Sequence, residues 1–231
     1  MADDKPLVRL RRRGGSPPPD WEMLVIRVSG DYALWRTVMR PSAGGGRIGR
    51  FAGKLPAAAF EKLERALSGC TGKTGSDGPP PPDSSIDRFL CESGELTIPS
   101  DAAPPPAWRE AAEQLRGFLD SLTAHPVAAI GIEGSPDGAR LIHLGTEALE
   151  LDLSAGSVRV VSWKGDAIAG EWSAPLAGPR TEKAAPGWSL ALPSAPDLAK
   201  DGRITVSAEG FLAFDGDFWR ACGVRLAIEG G

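Results

Sequence analysis

Three observations predict an α+β protein, in which an N-terminal antiparallel sheet with two helices is followed by a β-rich sandwich- or barrel-like module. The opening segments alternate apolar and polar residues with period two, the repeat of a half-buried strand. Helical spacing of apolar residues occurs in two stretches, and both precede residue 125. Beyond residue 127, short alternating runs follow one another, separated by Gly-, Asp- and Ser-rich turns, the pattern of an antiparallel sandwich or barrel. The predicted division is 1–126 for the α+β domain and 127–231 for the β-rich domain. A chain of 231 residues, 42% apolar and 24% charged, is long enough for one large or two small domains and has an ordinary globular composition.

In chain order, Leu7 to Arg13 reads as a strand, with Val8 and Leu10 on one face and Arg9, Arg11 and Arg13 on the other. Three consecutive prolines follow. Glu22 to Ser29 and Tyr32 to Arg40 read as a hairpin around Ser29-Gly30-Asp31. Leu24, Ile26 and Val28 share one face of the first strand, and Ala33, Trp35, Thr37 and Met39 share one face of the second. The glycine-rich stretch Pro41 to Gly53 carries Arg47 and Arg50 and room for a short strand at Ile48 to Phe51. Pro56 suits a first helical turn. Phe60, Leu63 and Leu67 continue that helix, and Gly69 stops it. A stiff proline loop, Pro79 to Pro82, precedes a second hairpin formed by Ile86–Glu92 and Glu95–Ile98. Trp108, Ala111, Ala112, Leu115, Phe118, Leu119 and Leu122 then form the apolar stripe of the strongest helix. After it, ten short strands are predicted between Val127 and Ile228. In one of them, Leu149, Leu151 and Leu153 alternate with Glu150 and Asp152.

Composition limits the chemistry. The formal net charge of -4 argues against a general polyanion binder, although the first 54 residues carry +6 locally. Two histidines and three cysteines leave little for a His/Cys zinc site or a disulfide framework. No apolar run reaches the ~18–20 residues of a membrane span, and Met1-Ala-Asp-Asp-Lys-Pro contains no apolar signal core. A cytoplasmic protein with no cofactor, nucleic-acid or membrane partner is the expectation.

The text Gly49-Arg-Phe-Ala-Gly-Lys-Leu-Pro-Ala-Ala-Ala-Phe-Glu-Lys-Leu, then Asp87-Arg-Phe-Leu, Ser93-Gly-Glu-Leu-Thr-Ile-Pro and Trp108 to Leu119, taken with the order of elements around it, resembles the emfourins. These are small bacterial inhibitors of thermolysin-type metallopeptidases. The resemblance covers roughly the N-terminal half. It implies a protein-binding module there and assigns no inhibitory residue. The proline loop, the arginines of the opening strands and the entire second half depart from the family pattern.

Each candidate site stands beside a plainer alternative. Gly69-Cys-Thr-Gly-Lys-Thr ends like a phosphate-binding loop, but it follows a helix instead of opening one, and the first required glycine falls on Leu67. His125 sits at a helix end and His143 within a strand, far from any second ligand motif. Cys70 reads as an exposed loop thiol, whereas Cys91 and Cys222 read as strand residues packed as small apolar groups. Glu150 and Asp152 share a strand face at a spacing that suits a carboxylate pair, and equally suits a solvated face; Glu147 lies nearby. Asp215-Gly216-Asp217 reads as a turn. Trp163, Trp172, Trp188 and Trp219 read as sheet-packing residues or as the lining of a ligand face.

The most suggestive set is Arg9, Arg11, Arg13, Trp35, Arg47 and Arg50. Guanidinium groups hold carboxylates at two points and are favoured at protein interfaces. A solvated strand face that discourages edge pairing explains the same arginines, and with Trp35 and Tyr32 they also fit nucleic acid, which the acidic total charge disfavours. The expected function is non-enzymatic protein binding, with a bacterial metallopeptidase or the subunits of an assembly as partner. The alternatives are a structural adaptor in a multi-protein assembly and a hydrolase with a carboxylate site in the β module.

Overall fold

The computed structural model describes residues 5–14, 20–37, 47–75, 84–135, 138–176, 182–195, 202–215 and 218–228, the side chains at 20, 21, 135, 214, 215 and 218–222 excepted. Two compact units make up a β-rich α+β fold. Met1–Arg36 with Phe51–His125 form the first, and Thr37–Arg50 with Pro126–Gly231 the second. The units are therefore not consecutive blocks divided at 126/127, because a segment from the first third of the chain belongs to the second unit.

The first unit contains β1 (Pro6–Gly14), β2 (Asp20–Arg27), β3 (Asp31–Arg36), the later half of β4 (Ile48–Lys54), α1 (Ala57–Ser68), β5 (Gly72–Thr74), β6 (Ser85–Cys91), β7 (Gly94–Pro99) and α2 (Arg109–Ser121). Its strands lie in the order β4-β3-β2-β1-β6-β7-β5. β1 is central, antiparallel to β2 on one side and to β6 on the other. Val8, Leu10, Leu24, Ile26, Tyr32, Leu34, Phe89 and Leu96 form its buried face. On β3, then, the core face is Tyr32, Leu34 and Arg36, because Leu34 sits opposite Leu24 and Tyr32 opposite Ile26. The set Ala33, Trp35 and Thr37 faces the other way.

Both helices serve that buried face. α1 starts after Pro56 and buries Leu63 and Leu67. α2 is entered through a 3-10 turn at Pro106–Trp108 and buries Ala111, Ala112, Leu115 and Leu119, four positions of its predicted stripe. Trp108 meets Phe89 with ring centroids 6.4 Å apart. Each fully buried large apolar side chain contributes about 1.5–3 kcal/mol.

A row of charges crosses this apolar face. Arg36 of β3, Glu22 of β2, Arg12 of β1 and Asp87 of β6 are direct cross-strand neighbours in sequence of sign + − + −. They are 6%, 1%, 4% and 0% exposed. Arg12 holds Asp87 at two points, Nε–Oδ1 2.6 Å and Nη2–Oδ2 2.9 Å, and gives Nη1 to Glu22 Oε2 at 3.0 Å. Arg36 Nε donates to Glu22 Oε1 at 2.7 Å. The row also fastens α2. Arg116 Nε donates to Asp87 Oδ2 at 2.9 Å while its other nitrogens reach the Ala102 and Pro99 carbonyls. Arg36 Nη2 donates to the Leu119 carbonyl.

The second unit carries the early half of β4, then β8 (Pro126–Ser135), β9 (Gly138–Gly145), β10 (Leu149–Asp152), β11 (Ser157–Lys164), β12 (Ala167–Pro175), β13 (Glu182–Ala184), β14 (Ser189–Ala191), β15 (Ile204–Asp215) and β16 (Phe218–Ile228). One group of strands runs β14-β9-β8-β4 and another β12-β11-β15-β10-β13, with β16 also paired to β15. Ile48, Ile130, Leu141, Leu149, Leu151, Leu153, Val158, Val206 and Phe211 from both groups belong to one apolar core. Leu149, Leu151 and Leu153 are buried while Glu150 is exposed, as their alternation requires.

Four predicted strands are in fact two. The Gly-containing breaks at 209–210 and 223 separate apparent pairs, but β15 and β16 each run through. Gly210, at φ 77° in the left-handed region, absorbs one extra residue where the β15–β16 register shifts between Glu209 and Phe211, a β-bulge. The short strands β5 and β13 carry no sequence signal strong enough to be predicted. The Pro17–Pro19, Pro79–Pro82 and Asp215-Gly216-Asp217 readings fall on residues that lie wholly or partly outside those described.

Asp87→Asn leaves Arg12 and Arg116 facing a neutral amide. The expected loss is about 3–5 kcal/mol, read from urea unfolding of the full chain. Glu22 responds differently. Burial pushes its carboxyl up from the ordinary value of 4.5, against the pull of Arg36 and Arg12. An acid with a raised folded value contributes stability that is complete below 4.5 and is lost as pH rises from there through the raised folded value. Wild type should therefore lose stability relative to Glu22→Gln over that rise, and a constant difference between the two would contradict the assignment.

Candidate protein-binding face

The face of the first-unit sheet turned away from the helices is built by the same alternation that buries Arg12. With Val8, Leu10 and Arg12 inward, Arg9, Arg11 and Arg13 must point outward. Arg9 and Arg11 are exposed and Arg13 is half-buried. Register sets their neighbours. Arg9 lies between Val25 of β2 and Leu90 of β6, Arg11 between Met23 and Arg88, and Arg13 opposite Ile86. Trp35 of β3 is half-buried opposite Met23. Leu90 is 39% exposed.

Arg11 and Arg88 are the notable pair. Side chains directly opposite across antiparallel strands have Cβ atoms about 4.5–5.5 Å apart, and like charges there are destabilising. Arg88 is drawn toward Glu95 of β7 at 2.8 Å, and Lys73 of β5 approaches the same carboxylate at 3.9 Å. One carboxylate thus serves two cations. Nothing in the local sequence marks Arg88, since its link to Arg11 is a matter of strand register.

The remaining predicted arginines lie elsewhere. Arg47 and Arg50 belong to the second unit. Arg47 is exposed, and Arg50 forms an ion pair with Glu147. The six residues of the predicted set are therefore split, four on the first-unit sheet and two in the second unit.

The other candidates take structural places. Cys70, expected to be exposed, is 0% exposed beneath the end of α1. Burial, and then the nearness of Cys91, push its thiol up to about 11. His143 is buried, and its Nε2–H donates to the Glu147 carbonyl at 2.8 Å. Asp152 binds the backbone N–H and hydroxyl of Ser154 at 3.0 and 2.6 Å, a local turn. Trp172 and Trp188 are partly buried against the second core. Trp163 donates to Thr205 Oγ1 at 3.0 Å and lies under the Arg203 guanidinium. The side chains of Trp219 and Cys222 are outside those described. Among the described residues, no group of three His, Cys, Asp or Glu side chains could hold a metal ion, and no helix is long and apolar enough to cross a membrane.

No family model, no curated protein and no solved structure matches this chain. The fold and the face therefore define it only as a β-rich α+β protein of two units, with a basic, partly apolar sheet face on the first.

The Arg50–Glu147 pair lies at the surface, where ion pairs contribute about 0–1 kcal/mol. Glu147→Gln should change the unfolding free energy by no more than that, and the difference should vanish in 1 M salt, where the screening length is about 3 Å.

Proposed function

We propose that the first unit is a protein-binding module whose outer sheet face, centred on Arg11, holds an acidic surface of a partner protein. The observation that supports it is the like-charged cross-strand pair Arg11 and Arg88, flanked by Arg9 and Arg13 and by the apolar side chains of Met23, Val25, Ile86 and Leu90. A partner carboxylate docked over Arg11 and Arg88 meets two guanidinium groups at once. The apolar neighbours shield that contact from water, as the centre of a protein interface does. Electrostatic complementarity of this kind also speeds encounter and rejects basic partners.

The emfourin resemblance over the same half of the chain makes a thermolysin-type metallopeptidase the first partner to test, with occlusion of an acidic-rimmed cleft as the mechanism. The second unit, with its two groups of strands on one apolar core, is read as a sandwich-like module carried alongside. This reading needs no cofactor and no catalytic side chain.

The test is inhibition of a thermolysin-type metallopeptidase by the purified full chain, against Arg9→Glu/Arg11→Glu. Interface arginines at an interface centre cost 1–2 kcal/mol or more when lost, so the double variant should weaken inhibition about 100-fold. Its unfolding midpoint should not fall, because both side chains are exposed and the reversal at 11 removes a like charge opposite Arg88. Absence of inhibition by wild type would remove the peptidase as partner. Equal inhibition by both proteins would remove this face as the binding surface.

A further inference from the structure

We propose that Cys70 and Cys91 form an oxidation site, a thiol pair that closes to a disulfide by exchange with a low-molecular-weight disulfide such as oxidised glutathione. Two elements deliver the thiols to one place. Cys70 follows Gly69 at the end of α1, with its Sγ 3.4 Å from the Ala66 carbonyl and 3.5 Å from the Ala107 carbonyl. Cys91 ends β6 on the same side of the strand as Phe89, with its Sγ 3.5 Å from Ser93 Oγ and 3.6 Å from the Gly94 carbonyl. Ser93 links the two residues, since its hydroxyl also donates to the Cys70 carbonyl at 2.6 Å.

Strand register holds this arrangement. Cys91 is paired with Gly94 across the β6–β7 hairpin, and Gly94 is paired with Gly72 of β5, two residues after Cys70. A side chain at 94 would meet the Gly72 carbonyl at 2.8 Å and the Trp108 ring at 3.0 Å. Only glycine lets β5 approach so closely, and that approach brings Cys70 to the end of β6. The Trp108 indole N–H beside this junction is buried and has no hydrogen-bond partner among the described residues, so the junction also holds a ring whose emission a nearby disulfide would quench.

The two thiols are unequal. Cys91 is half-buried and Cys70 is fully buried. Cys91 loses its proton to solvent and attacks one sulfur of oxidised glutathione. A new S–S bond forms, and one glutathione thiolate leaves. Cys70 then gives up its proton and attacks the Cys91 sulfur, forming the protein disulfide and expelling the second glutathione thiolate. Two protein thiols are oxidised and one glutathione disulfide is reduced to two thiols. The high pKa of Cys70 makes the second step the slower one, since the thiolate is the attacking species.

The experiment treats the folded full-length Cys222→Ser protein with oxidised glutathione at pH 8, blocks free thiols with iodoacetamide, and maps tryptic peptides by mass. The expected product joins Ala66–Lys73 to Phe89–Arg109. In the Cys70→Ser variant, Cys91 should stop at the glutathione mixed disulfide. Closure should also raise the melting temperature by about 5 °C or more, because the bond closes a loop of some twenty residues in the unfolded chain. A Cys91–glutathione adduct that persists with Cys70 intact would overturn the proposal, and so would the absence of any modification while circular dichroism shows a folded protein.

Discussion

The alternating charge row Arg36–Glu22–Arg12–Asp87 is the constraint on which the first unit depends. Four strands meet at this level, and each contributes one member. Taking such groups out of water is costly, and their mutual attraction only offsets that cost when every charge is paired. The geometry meets this condition closely. Asp87 accepts from Arg12, Arg116 and Ser100, and Glu22 accepts from Arg12 and Arg36. The row is best understood as a device of register and not as a source of net stability. A one-residue slip of β1 would send Arg12 to solvent and drive Arg11 or Arg13 into an apolar layer, leaving Glu22 and Asp87 buried without partners.

The same row couples the sheet to α2. Arg116 reaches from the helix to Asp87, and Arg36 reaches from the sheet to a carbonyl near the helix end. The apolar stripe of α2 supplies adhesion that is tolerant of sliding. The charged contacts supply position along the sheet. The outer face inherits its precision from this arrangement, because β1 cannot hold Arg12 inside without holding Arg9 and Arg11 outside. Interior order and surface chemistry are two consequences of one strand's pleat.

The second unit reaches a defined structure by another route. Its core is apolar, and its long strands β15 and β16 carry a bulge at Gly210 instead of a turn. Its ion pairs Arg50 with Glu147 and Arg159 with Glu171 lie at the surface. The buried His143 is accommodated by a single carbonyl contact.

Local patterning in the chain was enough to show a β-rich α+β protein. Period two marked β1, β2, β6 and β10, and the 3.6-residue period marked α1 and α2, because each pattern reflects which neighbours in the same element share a face. The outward direction of Arg9, Arg11 and Arg13 was legible for that reason. Long-range partnership was not legible. Arg12 stands in the inward set with Val8 and Leu10, and Glu22 stands in the set with Leu24 and Ile26, so a polar residue on an apolar face was the available signal. Its meaning appears only when register places Glu22 and Asp87 beside it, up to 75 residues away. The burial of Cys70, the Arg11–Arg88 juxtaposition, the separation of Arg47 and Arg50 from the other arginines, and the continuity of β15 all have the same origin. Each depends on which strand lies next to which, a choice made by the packing of the whole unit and by no run of neighbouring residues.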